Sequence, residues 1–209
     1  KGIKVSGKTV TIGAATTHYE VATSEKLAKV CPALSHLASL IGDPAVRHRG
    51  TIGGSIANND PAADYPAAML ALGATIVTNK REIAADKFFK GLFETALKEG
   101  EIVTAVSFSA PAKAAYEKFR NPASRYAIVG VFVAKGIGGV RVAVTGAGDE
   151  GVFRSRELET ALAKQFDAAA LASAKIPSKA LMSDMHASAE YRANLIVVMA
   201  RRAVAAANA

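Results

Sequence analysis

Tryptophan is absent, there is a single cysteine, and aromatic residues make up only 6% of the chain. One thiol, Cys31, excludes an internal disulfide and any cysteine-built iron–sulfur or zinc site. Set before Pro32 in an apolar stretch, it reads as a small buried side chain and points to a reducing, cytoplasmic setting. No apolar run approaches the ~20 residues of a membrane span. The N-terminus shows no signal-peptide pattern. It also lacks an initiator methionine and opens as Lys1-Gly2-Ile3-Lys4-Val5, already strand-like, so an upstream part is expected to be missing. No Ser/His/Asp or Cys/His constellation and no carboxylate pair is marked out by its setting. No catalytic side chain and no metal ligand set is therefore assigned. The chain is expected to bind a group that carries the reactivity.

What is present is a hydrophobic half of 209 residues, enough for one large domain or two small ones with a sizeable core. With few aromatics, that core must rest on Ala, Val, Leu and Ile, which suits helices packed on sheets. The net charge of +8 fits either a generally basic chain or an anionic ligand such as a phosphate. Nucleic acid is disfavoured. The cations are scattered, and the densest cluster, Arg47-His48-Arg49, lacks the interleaved aromatics that stack bases.

Alternation at Ile3 and Val5, then Val10 and Ile12, predicts a hairpin. Thr17 three residues before Glu20 is a capping-box pattern, so a helix should start there, with His18 in its first turn as a surface or capping residue. Leu34, Leu37, Ala38 and Ile41 recur at helical spacing after Pro32. Pro66–Leu72 reads as a short helix ended by Gly73, and Ala74–Thr78 as a strand. Asp86 should cap a helix holding Phe88 and Phe89, and Glu101–Ser109 should be a strand. Pro111–Ala114 looks like a boundary. Beyond it, strands are expected at Ala115–Phe119, Ala127–Lys135 and Val140–Thr145, then helices at Ser155–Lys164, Asp167–Ala174 and Ser188–Ala207. The last should bury a face near Tyr191, Leu195, Val198, Met199 and Arg202. The layout is α+β.

The chemistry concentrates in Arg47–Asp64, RHRGTIGGSIANNDPAAD. Adjacent glycines Gly53 and Gly54 allow a sharp turn whose N–H groups form an anion cradle, with the hydroxyls of Thr51 and Ser55 beside it. A plain structural turn is the alternative. Asp64 could accept hydrogen bonds from a ligand hydroxyl, hold the loop, or cap a helix. The stretch is neither a Walker-type loop nor Gly-x-Gly-x-x-Gly.

These residues resemble the FAD-binding medium subunit of molybdenum hydroxylases, nearest to the carbon monoxide dehydrogenase type and more distantly to the xanthine dehydrogenase flavin domain. The resemblance extends to Val10–His18, Ile41–Arg47, Gly100–Thr104, Ala115–Phe119 and Ser188–Arg192, and so covers nearly the whole chain. It implies a FAD-binding domain at 1–110, a mixed sheet with helices, and a C-terminal domain at 111–209, a three-stranded antiparallel sheet packed with helices. It implies that the Thr51–Ser55 loop, Ile52 included, wraps the FAD diphosphate and that Asp64 contacts the cofactor. Ile41 and Val103 would line the flavin site, Lys118 would contact the flavin, and Tyr126 would lie against the isoalloxazine ring. Read alone, Lys118 is an exposed strand lysine and Tyr126 a core-edge aromatic. The implied partners are a molybdenum-cofactor large subunit and an iron–sulfur (2Fe–2S) small subunit, in a heterotrimer or its dimer. Electrons would pass through FAD to NAD, a quinone or another acceptor. The family's first glycine loop, in a subdomain beginning ~55–60 residues earlier, is not in this sequence. The resemblance therefore implies a fragment or the ordered part of a longer protein, inactive alone. A cofactor-free docking module is the alternative.

Overall fold

The alternation that opens the chain folds as the expected hairpin. In the computed structural model, which describes residues 1–209, β1 (Ile3–Ser6) and β2 (Thr9–Gly13) pair antiparallel, with Val5 opposite Val10. Thr17 then starts α1 (His18–Thr23) through a complete capping box: its hydroxyl accepts from the Glu20 amide, and the Glu20 carboxylate accepts from the Thr17 amide at 2.9 Å. Ser24 caps α2 (Glu25–Val30), Pro32 opens α3 (Pro32–Ser39), and Asp43 with Pro44 starts α4 (Pro44–Arg49). Each start is local chemistry that satisfies or removes an orphan amide.

The Gly-Gly stretch is not a loop. Thr51 caps α5 (Ile52–Asn58), and the glycines occupy its second and third positions. It ends at Asn59, left-handed at φ 45°. The helix α6 (Tyr65–Ala71) follows and stops before Gly73, whose φ is 59°. Then come β3 (Thr75–Thr78), β4 (Glu82–Ala84), a single turn α7 (Ala85–Phe88), the small hairpin β5 (Phe89–Gly91) and β6 (Glu94–Thr95), and β7 (Val103–Ser109). Asp86 does not cap α7. Its carboxylate pairs with Arg141 at 2.6 Å and Arg154 at 3.3 Å, and Phe89 leaves the helix for β5. The strand expected from Glu101 begins at Val103, because the Glu101 carboxylate is taken by Arg81, Thr78 and the Lys98 amide.

The first sheet has the order β1-β2-β7-β3-β4. The expected mixed sheet is antiparallel at every pairing, because β7 enters between β2 and β3 and runs against both. The second sheet contains β8 (Lys113–Arg120), β9 (Ala127–Gly136) and β10 (Gly139–Thr145), the three strands expected, plus a two-residue edge strand β11 (Phe153–Arg154). Two residues are too few to show a period, so β11 left no trace in the sequence. The α+β class holds.

This second sheet explains the unbroken apolar run in β9. Tyr116, Phe132, Ala134 and Ala143 pack into the core beneath the first sheet and its helices. Val129, Val131, Val133, Val142 and Val144 pack on the other side, with α8 (Arg156–Lys164) and α9 (Ala189–Asn208). A strand covered on both faces loses its polar alternation. The buried face of α9 is carried by Arg192, Ile196, Ala200 and Ala203 as well as Leu195 and Met199, while Tyr191 and Arg202 face outward. Small alanines, invisible as core markers, allow the close approach to the sheet. The helix expected at Asp167–Ala174 is one 3-10 turn, Ala168–Leu171, capped by Asp167. No helix is long and apolar enough to cross a membrane.

Candidate functional site

A cleft of about 460 Å³ opens between the N-terminal helices and the turn that links β8 to β9. One wall carries Thr51, Gly54, Ser55 and Asn58 of the glycine helix, beside Ile41, Gly42, Val46, Arg49 and Gly50. Asp60, Ala63 and Asp64 contribute to the lining, and Ser124, Arg125 and Tyr126 come from the C-terminal half. The expected residues Ile41, Thr51, Gly54, Ser55, Asp64 and Tyr126 thus meet in one space. Tyr126 is 53% exposed there, not a core-edge aromatic.

Ile52, Gly53, Val103 and Lys118 do not line it. Ile52 is fully buried in the core. Gly53 faces inward: a Cβ on it would lie 2.4 Å from the Ala14 Cβ and 2.8 Å from the Ala14 Cα. A Cβ on Gly54 would meet only the Thr51 Oγ1, at 3.1 Å. The two glycines therefore do different work. Gly53 lets α5 press on the strand–helix junction, and Gly54 keeps the helix surface bare toward the cleft. Val103 is half-buried against the N-terminal core.

The expected amide cradle is already occupied from within. The amides of Ile52 and Gly53 donate to the carbonyls of Thr16 (3.0 Å) and Ala14 (2.9 Å). Those of Gly54 and Ser55 donate to the Thr51 hydroxyl (3.1 Å) and the Thr51 carbonyl (3.0 Å). What α5 presents to a ligand is its bare glycine face and the hydroxyl groups at its start.

Asp64 occupies the cap position of α6 without capping it. Its buried carboxylate accepts from the Tyr116 hydroxyl and from Lys118 Nζ at 3.0 Å. Lys118 is only 2% exposed in its side chain and also donates to the Leu40 carbonyl at 3.1 Å, so it is not an exposed strand lysine. Gly130 makes room for this arrangement, since a Cβ there would fall on the Tyr116 hydroxyl. Burial pushes the Asp64 carboxyl above its usual range, opposed by the Lys118 charge and both hydrogen bonds. Burial, and then the Asp64 charge, pushes the Tyr116 hydroxyl well above its usual value. The neighbouring backbone is stitched to the same sheet: the Thr145 hydroxyl reaches the Ala63 carbonyl (2.6 Å) and the Pro61 carbonyl (3.1 Å), and the Gly146 amide donates to Pro61 (2.8 Å). Asp64 and Lys118 form a tie between the two halves at the back of the cleft.

His18 departs from its expected surface or capping role. It is buried and borders the cleft, packed near Tyr65 with ring centroids 5.4 Å apart. Burial, with the nearby Arg47 charge, lowers its pKa to about 4. Gly50 makes the room, since a Cβ there would lie 2.5 Å from His18 Nε2. That relation spans 32 positions and has no local signature. Cys31 behaves as expected: it is buried, and burial pushes its thiol up to about 11.

A bare backbone face, hydroxyls, arginines and an exposed aromatic ring across one cleft suit a ligand with both phosphate and a planar ring system. The family described as the FAD binding domain in molybdopterin dehydrogenase matches residues 1–111. The chain belongs to that family. The carbon monoxide dehydrogenase medium chain of Afipia carboxidovorans is 33% identical, over all of this chain and 77% of its own length. The nicotine 6-hydroxylase medium subunit of Paenarthrobacter nicotinovorans is 34% identical, over 97% and 76%. Among solved structures, quinoline 2-oxidoreductase from Pseudomonas putida 86 superposes with a TM-score of 0.84 at 27% identity, covering 99% of this chain and 77% of that one. Carbon monoxide dehydrogenase from Hydrogenophaga pseudoflava gives 0.82 at 32% identity, with the same coverage. The FAD-binding family thus adds its cofactor to the fold: the chain is a flavoprotein of the oxidoreductase class.

Proposed function

We propose that this chain is the FAD-carrying medium subunit of a molybdenum-containing hydroxylase or dehydrogenase. It holds FAD in the cleft between residues 1–110 and 111–209 and relays electrons from the centres of an iron–sulfur (2Fe–2S) small subunit to an external acceptor. A large subunit with the molybdenum cofactor oxidises the substrate. One observation carries the reading: the bare Gly54 face of α5 and the exposed ring of Tyr126, from opposite halves, border a single cleft.

Bound FAD supplies the two-electron chemistry. The residues of this chain bind and orient it. Thr51 and Ser55 offer hydroxyls to the diphosphate, and Gly54 lets it approach the backbone. Ile41 supplies apolar surface, and Tyr126 offers its ring to the isoalloxazine. Asp64 and Lys118 are positioning residues, holding the two walls at a fixed separation. Ile52, Gly53 and Val103 act from behind by fixing α5 and β7.

The complex purified with its partners should show the visible flavin absorption band. An intact complex that lacks flavin and cannot take it up would overturn the proposal. The competing reading, a cofactor-free docking module, draws support from the internally satisfied amides of α5. Submicromolar FAD binding by the 209-residue chain would exclude the docking role; weak or no binding is expected of the chain alone, and the flavin content of the intact complex then decides.

A further inference from the structure

Three guanidinium groups gather around the cleft, and none is part of an ion pair. Arg49 and Arg125 line it. Arg47 Nη1 donates to the Ile41 carbonyl at 2.9 Å and the Gly42 carbonyl at 3.1 Å. Arg125 Nη1 reaches across from the other half to the same Gly42 carbonyl, at 3.2 Å. The chain's ion pairs all use other cations. Two like charges from opposite walls therefore share one neutral acceptor, the Gly42 carbonyl. Asp60, in the same lining, accepts from the Ala62 amide and pairs with no cation.

Arg125 is also held where its backbone is disfavoured, at φ 64°. The turn around it enforces this. The Arg125 amide donates to Asn121 (2.9 Å), the Asn121 amide donates to Tyr126 (2.8 Å), and Asn121 Oδ1 accepts from the amides of Ala123 and Ser124. The strain aims a cation at the cleft next to the exposed Tyr126. Because the first-turn amides of α5 are already bonded, an entering anion must find its donors among side chains.

We infer that Arg125, with Arg47 and Arg49 adding positive charge, forms a phosphate-binding site at the cleft, its guanidinium leaving the Gly42 carbonyl for phosphate oxygens. A planar guanidinium can bond two phosphate oxygens at once, which a shared carbonyl does not offer. The inference rests on the flavin reading of the cleft for the identity of the nucleotide. The phosphate belongs either to FAD or to a second nucleotide that takes up its electrons.

The test uses the protein in its native complex and the variant Arg125→Gly, which suits the left-handed backbone and should fold. If the phosphate is that of FAD, FAD affinity should fall roughly tenfold or more while riboflavin affinity stays unchanged; if it is that of a second nucleotide, ADP affinity falls instead. Pyrophosphate should raise the melting temperature of the wild type but not of the variant. Loss of neither FAD affinity nor ADP affinity, or an equal loss for FAD and riboflavin, overturns the inference. If neither flavin binds the wild type, the flavin reading fails and pyrophosphate alone decides: an Arg125-dependent rise in melting temperature upholds the site, and no rise overturns it. Adding ADP to the flavin-loaded complex separates the sources. Arg125-dependent binding assigns the site to a second nucleotide. Exclusion of ADP by FAD assigns it to the FAD diphosphate.

Discussion

Replacing each glycine of α5 in turn should separate folding from cofactor binding. In Gly53→Ala the new methyl meets the Ala14 Cβ at 2.4 Å and the Ala14 Cα and carbonyl oxygen at 2.8 and 2.9 Å. Two of these are backbone atoms and cannot rotate away. Overpacking of this kind costs about 1–3 kcal/mol. The gain in helix propensity returns about 1 kcal/mol at most. Three contacts under 3.0 Å put the cost at the upper end, so a net loss of about 2 kcal/mol remains, a fall of roughly 4–8 °C in melting temperature for a chain of this size. In Gly54→Ala the methyl touches only the Thr51 hydroxyl, at 3.1 Å, and otherwise enters the cleft. Its stability should stay within about 0.5 kcal/mol of wild type. Its flavin content should fall, because the close backbone approach is blocked. The assay pairs a thermal melt with the ratio of flavin to protein absorbance in the purified complex. If Gly53→Ala melts like wild type, or Gly54→Ala keeps full flavin, the division of labour argued for the pair is wrong.

Removing one partner of the Asp64–Lys118 pair should be severe. Lys118→Met leaves the Asp64 carboxylate buried without its cation and should cost about 3–5 kcal/mol in a denaturant titration. Adding Asp64→Asn should recover part of that loss, and a double variant as unstable as the sum of the singles would deny the pairing. His18 makes stability depend on acid. Its folded pKa of about 4 lies below the usual 6.5, so the unfolded chain binds the extra proton. Stability is complete above the usual value and is lost as pH falls through 6.5 toward 4. The full shift corresponds to about 3 kcal/mol, and partial access of the ring to the cleft reduces this to about 2 kcal/mol. His18→Gln should flatten that slope between pH 6.5 and 4, and an unchanged slope would place its origin elsewhere. Arg81, with Thr78 and the Lys98 amide, holds Glu101 down to about 2 despite opposing burial. Its contribution is complete above 4.5 and is lost as pH falls toward 2, a trend that Arg81→Met should remove from acid-unfolding curves.

The sequence disclosed what short-range chemistry controls. The Thr17 capping box, the Pro44 helix start and the β1–β2 hairpin are each decided within a few residues, and each formed as read. The glycine helix was misread as a loop because its cause is tertiary. Two glycines in a first turn weaken a helix by propensity alone. Here the strand–helix junction takes the first two amides through Thr16 and Ala14, and that junction is more than 30 residues away. Asp64 and Lys118 were visible as candidates, but the direction of their side chains was not. Asp64 reads as a ligand contact, a loop tie or a cap, and Lys118 as an exposed lysine that the resemblance turns to the flavin, whereas the two side chains meet across 54 positions. His18 was misplaced for the same reason, since only the packing of Gly50 against its ring reveals it.

The sheet filled on both faces bears on how the molecule comes apart. A division near residue 110 separates the two sheets in sequence, yet Tyr116, Phe132, Ala134 and Ala143 lie beyond it and complete the core of the part before it. Cut there, the first part would lose the strands that cover α3 and α6, and the second would turn two aromatic rings to water. Neither piece keeps a closed interior, so the seam in the sequence is not a seam in the energetics. Calorimetry should record one cooperative transition spanning both parts, and deletions that respect the sequence boundary should yield insoluble products.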